Sequence, residues 1–288
     1  MRESIAAGLV LCLLMVMVTD VSAQLTAAKE GPVVYGHHHL NTTNVEAQKK
    51  FFVDTLGGTA IKVGTNNLEI VKFPNVLIFF RTVQAAPGGT RGTVVNHIGF
   101  SVPSLRATID KLKAAGYTMI TSTEATPDRQ VKDDIAGPAA AGGSSIAFVQ
   151  APDDIKVELV EVPAQKIPIA LHHVHFFNPA NTEMQAWYVK MFGATSRLGG
   201  AFPAAILPGV ALNFSSSPAP VVGTQGRALD HIGFEVKNLE EFTKKLEASG
   251  IKLTTPYRPV PALGIAIAFF TDPWGTYIEL TEGLDKIQ

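Results

Sequence analysis

Residues 96–116, NHIGFSVPSLRATIDKLKAAG, and residues 230–250, DHIGFEVKNLEEFTKKLEASG, carry one pattern twice. Each opens as a strand, because side chains alternate across an extended chain. In HIGFSV, Ile98, Phe100 and Val102 share one face, and His97, Gly99 and Ser101 share the other. A helix follows in each copy, over about 105–115 and 239–248, and stops at Gly116 or Gly250. The apolar strand face packs on that helix. The histidine face then looks into a concavity.

The repeat extends outward in both directions. Upstream stand HHHLNTT (37–43) and LHHVHFF (171–177); downstream stand IKVELVE (155–161) and TYIELTE (276–282). Alternation turns His37, His39, His173 and His175 inward, while His38 and His172 go with the helix side. Glu158 and Glu279 sit mid-strand among apolar neighbours, where a carboxylate is costly to bury unless paired or metal-bound. The chain therefore reads His…His…Glu twice. It is a duplication with a seam near 164–168, and each half divides again into two βαβββ units.

In the first unit, a strand over about 36–41 leads to a helix capped by Asn44 and closed by Gly57-Gly58. NVLIFF (75–80) is the clearest of its later strands. The third unit has a helix over 181–192 and a strand VALNF (210–214); IAIAFF (265–270) belongs to the fourth. Pro/Gly-rich stretches at 86–92, 137–143, 216–226 and 256–264 read as loops. A single unit cannot bury its sheet alone. The expected architecture is α+β: four βαβββ modules paired within each half into two cup-shaped domains, residues 24–164 and 165–288.

Composition narrows the function. Residues 1–23 read as a secretory signal, with an apolar stretch from Ile5 to Val18 and Val21-Ser22-Ala23 as the cleavage site. The expected location is secreted or periplasmic. No later apolar run is long enough to span a membrane. The only cysteine, Cys12, lies in that signal, which excludes disulfides and thiolate chemistry from the mature chain. A net charge of −1 gives no electrostatic footprint for nucleic acid. A small-molecule substrate remains, and a homo-oligomer is compatible with this composition.

Two neutral imidazoles and one carboxylate with open positions form the facial triad of non-haem iron(II) oxygenases. Iron(II) is the favoured ion; manganese, zinc and nickel are alternatives. Pairing within halves predicts the ligand sets His37, His97 and Glu158 in one cup, and His173, His231 and Glu279 in the other.

Tandem βαβββ units with the phrase DHIGFEV…L…L…G…AFFTDPWGTYIELTE resemble the vicinal oxygen chelate superfamily of glyoxalase I, extradiol dioxygenases and bleomycin-resistance proteins. The resemblance covers nearly all of 33–283. It implies glyoxalase-like cups whose ligands come from first and last strands, and it implies the same six residues. Glyoxalase I would add a glutamate where this chain has Phe79 and Asn213. The extradiol enzymes would add a tyrosine and a histidine where it has Phe269 and Ser216, or Phe148 and Thr82. The resemblance thus implies a dioxygenase-like ligand set without the usual proton-transfer partners. His175, Tyr257 and Arg258 are the candidates for that role, with His39 matching His175 and Arg129 matching Arg258. The expected function is a metal-dependent enzyme acting on a small substrate with neighbouring oxygens. The alternatives are a glyoxalase-type lyase or isomerase, and a non-catalytic binding protein.

Overall fold

The computed structural model describes residues 25–28, 33–85, 88–197, 202–217 and 219–287. The expected export signal, with Cys12, lies outside them. Among the described residues, no helix is long and apolar enough to cross a membrane.

The four modules are present. The first comprises β1 (Val34–Thr42), α1 (Val45–Lys49) continuing as a π-helix (Lys50–Thr55), β2 (Thr59–Val63), β3 (Leu68–Phe73) and β4 (Val76–Thr82). The second has β5 (Val95–Val102), α2 (Leu105–Ala114), α3 (Thr121–Glu124), β6 (Val131–Lys132), β7 (Ile135–Ala136), β8 (Ile146–Ala151) and β9 (Ile155–Glu161). The third has β10 (Ala170–Phe177), α4 (Asn181–Phe192), β11 (Thr195–Arg197), β12 (Ala204–Leu207) and β13 (Val210–Ser215). The fourth has β14 (Leu229–Glu235), α5 (Leu239–Ala248), β15 (Leu253–Val260), β16 (Ile265–Thr271) and β17 (Tyr277–Glu282). Local signals act as read: Asn44 accepts from the Ala47 amide at 3.0 Å, and Gly116 and Gly250 take positive φ just past their helices.

The pairing of modules differs from the expectation. One sheet runs β15-β16-β17-β14-β1-β4-β3-β2 and joins the first module to the fourth. The other runs β11-β12-β13-β10-β5-β9-β8-β7-β6 and joins the second to the third. Each sheet crosses the 164/165 boundary, so residues 24–164 and 165–288 each contribute half of both cups. The cause is the core. Ile98, Phe100, Ile232, Phe234, Phe52 and Phe192 belong to one continuous buried cluster. Phe73 of one sheet meets Phe100 of the other at 5.0 Å between ring centres. The apolar backs of both sheets, with their helices, bury against each other, which places consecutive modules in opposite sheets.

Of stretch 256–264, expected as a loop, residues 256–260 belong to strand β15 and 261–264 form the turn that follows. Two prolines did not prevent this, because β15 is an edge strand and Pro256 falls in a bulge between Thr255 and Arg258. At the rim of the eight-stranded sheet the β2–β3 and β15–β16 turns touch: the Thr65 amide donates to Ala262 O at 2.8 Å. A methyl group at Gly64 would collide with that carbonyl, so the glycine is required by the close approach. The edges of the sheet meet, and its concave face becomes a cup.

Candidate metal centres

In the eight-stranded sheet, His37 on β1, His231 on β14 and Glu279 on β17 converge. Both Nε2 atoms stand 2.9 Å from Glu279 Oε2. All three residues are buried. The histidines come from adjacent antiparallel strands; β17 brings the carboxylate alongside, with Glu279 opposite Gly233. A methyl at Gly233 would occupy the space of the His37 ring, so the glycine of HIGF is the seat of a histidine two hundred residues upstream. His231 Nδ1–H donates to Asp230 Oδ2 at 2.8 Å. Asp230 also accepts from the Asn41 amide and Gly226 N, at 2.9 and 2.7 Å. Burial alone would raise the Asp230 pKa, but these hydrogen bonds hold it at about 2. Burial likewise opposes a charged His231 and a charged Glu279. Their partners outweigh it: Asp230 and Glu279 raise the histidine, and His37 and His231 lower the carboxylate.

The nine-stranded sheet repeats the geometry with His97 on β5, His173 on β10 and Glu158 on β9. His97 Nε2 lies 2.7 Å and His173 Nε2 3.3 Å from Glu158 Oε2. Gly99 makes room for the His173 ring, as Gly233 does for His37. His97 Nδ1–H donates to Asn96 Oδ1 at 2.9 Å, an amide where the other site has a carboxylate. Burial pushes His97 down to about 4, which keeps its imidazole neutral. Burial would raise Glu158, but the two histidines hold it well below the usual carboxylate range.

All six expected ligands therefore meet, but in exchanged sets. His37 joins His231 and Glu279; His97 and Glu158 join His173. The exchange follows from the module pairing. His175 moves with it, and packs against His97 with ring centres 4.6 Å apart rather than beside His231.

Both clusters suit a divalent ion. The candidate ligand atoms of His37, His231 and Glu279, and those of His97, Glu158, His173 and His175, lie within 4.8 Å of one another in each group. His37 Nδ1, His173 Nε2 and His175 Nδ1 are buried without a hydrogen-bond partner. A buried unpaired polar atom costs about 1–3 kcal/mol. For His173 and His175, coordination is a direct remedy. The Asp230–His231 pair matches the outer-shell arrangement that fixes a metal-binding imidazole and raises its basicity.

The strand register confirms where a fourth module-end ligand would stand. Phe79 opposes His39, and Asn213 opposes His175, as Glu279 opposes Gly233 and Glu158 opposes Gly99. Neither position holds a carboxylate. Phe79 instead packs on His37 at 5.2 Å.

The other candidates divide. Arg258 pairs with Ile267, and Phe269 pairs with Glu279, so alternation places Arg258 on the triad's face of the sheet. Arg258 is exposed there, while Tyr257 falls in the bulge and is 37% exposed. Neither forms a hydrogen bond or ion pair with the triad among the described residues. Arg129 is structural, donating to the carbonyls of Gly137 and Ser144.

Two wall residues were missed. Tyr277 packs on His231 at 5.7 Å, and Lys156 lies buried over the Phe148 ring while donating to Glu124 at 2.7 Å. Each stands two residues before a candidate-ligand glutamate, so the alternation used for the histidines could have found them.

Asp230→Asn is expected to weaken divalent-metal binding at the His37–His231–Glu279 site by about 10–100-fold, the usual cost of an outer-shell partner. Competition against a chromophoric chelator reads this; unchanged affinity would remove Asp230 from the site.

Comparison with known proteins agrees with this architecture. The family model of the Glyoxalase/Bleomycin resistance protein/Dioxygenase superfamily matches residues 129–280, over half of the chain. The chain belongs to that superfamily. Among solved structures, glyoxalase I from Zea mays superposes with a TM-score of 0.69 at 15% identity, covering 88% of this chain and 94% of that one. A putative dioxygenase from Bacillus subtilis superposes with a TM-score of 0.61 at 13% identity, covering 89% and 86%. At these identities the likeness is one of fold. No curated protein sequence matches the chain.

Proposed function

We propose that the protein is a divalent-metal-dependent enzyme acting on a small substrate with neighbouring oxygens, with a dioxygenase-like ligand set. The observation that carries this reading is the convergence of His37 and His231 on one oxygen of Glu279, with Asp230 behind His231. A protein that only sequesters a ligand has no need of two buried imidazoles aimed at a buried carboxylate. A divalent ion held there would supply Lewis acidity toward adjacent substrate oxygens and, if iron(II), a centre for oxygen chemistry.

The chain's own residues shape the rest. Phe79, Phe269 and Tyr277 form an apolar and aromatic wall against the ligand histidines, which keeps water from the site. His39 lies against His231, with ring centres 4.5 Å apart. Burial and the neighbouring His231 and His37 push its pKa down to about 3, so it is a neutral wall of the site at ordinary pH. Arg258, on the same sheet face, is suited to an anionic substrate group. The apolar segment from Ile5 to Val18 and the Val21-Ser22-Ala23 site support export; N-terminal sequencing should then give Gln24.

Protein purified from a metal-replete host is expected to carry stoichiometric divalent metal, and metal-free protein would sink the reading. Iron-loaded protein is expected to consume oxygen with a catechol from a substrate panel. No uptake across the panel would reject the dioxygenase subclass and leave the lyase or isomerase.

A further inference from the structure

The two sites are related by the duplication, yet their surroundings differ at one position. His39 and His175 stand two residues beyond His37 and His173, on equivalent strands. His39 is half-buried and lies outside the three-residue cluster of its cup. His175 is buried, 7% exposed, and belongs to the cluster of His97, Glu158 and His173. Its ring centre lies 4.6 Å from His97 and 5.6 Å from His173.

Ser215 accounts for the difference. Its Oγ lies 2.8 Å from His175 Nε2 and fixes the ring, leaving Nδ1 buried and without a partner. The equivalent residue in the first module is Arg81. Arg81 donates to Asn41 at 2.8 Å and lies 3.6 Å from Asp230, so it supports Asp230 rather than His39. Phe202 packs on the His175 ring at 4.7 Å and adds to its confinement. An imidazole held at one nitrogen by a hydrogen bond, with the other buried and bare in a cluster of two histidines and a glutamate, is arranged as a ligand.

We propose that His175 is a fourth metal ligand, so that His97, Glu158, His173 and His175 bind one divalent ion through three imidazoles and a carboxylate. This rests on reading the clusters as metal sites. The chain then carries two different centres. Three protein donors in one cup leave positions open for a chelating substrate. Four protein donors fill a tetrahedral shell in the other, a set suited to zinc. The three-imidazole site is expected to retain zinc more tightly and to exchange it more slowly.

Cobalt(II) and zinc separate the alternatives. In a Glu279→Gln background only the four-donor site binds, and cobalt(II) there should give the intense visible absorption of a tetrahedral ion. His175→Ala should weaken that absorption and lower zinc affinity by more than about 100-fold; Ser215→Ala, which keeps the imidazole, should lower affinity by about 10–100-fold. Far-ultraviolet circular dichroism confirms that each variant folds, and Ser215→Ala carries the test if His175→Ala does not fold. Unchanged spectrum and affinity in either folded variant would overturn the fourth ligand. Metal held by wild type alongside such silent variants would sink this inference alone. Absence of metal from both cups of wild type would sink the proposed function as well.

Discussion

Glu279→Gln is expected to strip the divalent ion from one cup and leave the other loaded. Glu279 is the only anion among three donors, and a single oxygen serves both His37 and His231 at 2.9 Å. A neutral amide cannot replace that charge, and when flipped it would present N–H donors to the imidazoles. Loss of an outer-shell partner alone costs about 10–100-fold in metal affinity, so removal of this inner donor should exceed about 100-fold. Stoichiometry measured by elemental analysis should fall by one ion per chain. Glu158→Gln should remove the other ion, and the double variant should bind neither. If Glu279→Gln retains wild-type stoichiometry and affinity, the triad is not a metal centre.

The second large effect is expected from one methyl group. Gly233 is opposite His37 on one side and Glu279 on the other, held by ladders on both. A side chain there would overlap Cε1, Nδ1 and Nε2 of His37. The strands cannot part, so in Gly233→Ala the ring must leave its place and surrender its position against Glu279. Overpacking of this kind costs about 1–3 kcal/mol of stability. Metal affinity should fall with the ligand, again by more than about 100-fold. The sign is informative. Glycine to alanine at an unstrained position stabilises by about 0.4–1 kcal/mol through the unfolded chain. Thermal unfolding of the metal-free variant should therefore show a loss where an ordinary strand glycine would show a gain. Gly99→Ala should do the same through His173. A stabilised Gly233→Ala that binds metal as wild type would contradict the geometry.

Much of this was legible in the residues. Alternation in HIGFSV placed Ile98 and Phe100 in the core and His97 in the cup, and the helices over 181–192 and 239–248 fall where expected. That these six residues would gather in buried His/Glu clusters was legible for the same reason. Their partners were not. His37 needs a glycine opposite it, and Gly99 offers the same seat as Gly233. A strand pattern reports which face a side chain takes, but not which of two near-identical strands lies beside it. That choice is made by the shared core between the sheets. The bulge at Pro256 and Tyr257 was hidden for a related reason: prolines mark loops in isolation, and an edge strand tolerates them. The partnership of His175 with Ser215 depends on β10 and β13 lying side by side, forty residues apart in the chain.

The crossing of the seam also bears on how the chain assembles. Strand β10 pairs with β5 across some seventy residues, whereas β14 must find β1 across about two hundred, as in the pair Val34 and Glu235. Loop-closure entropy grows with that separation, and contacts distant in sequence slow folding. During synthesis the second and third modules can close their cup while the fourth is still being made. The first module must wait with its edge strand unpaired, a template for wrong partners until the fourth module arrives. The cup around His37 and Glu279 is thus the last to exist in a newly made chain, and the one most exposed to interruption.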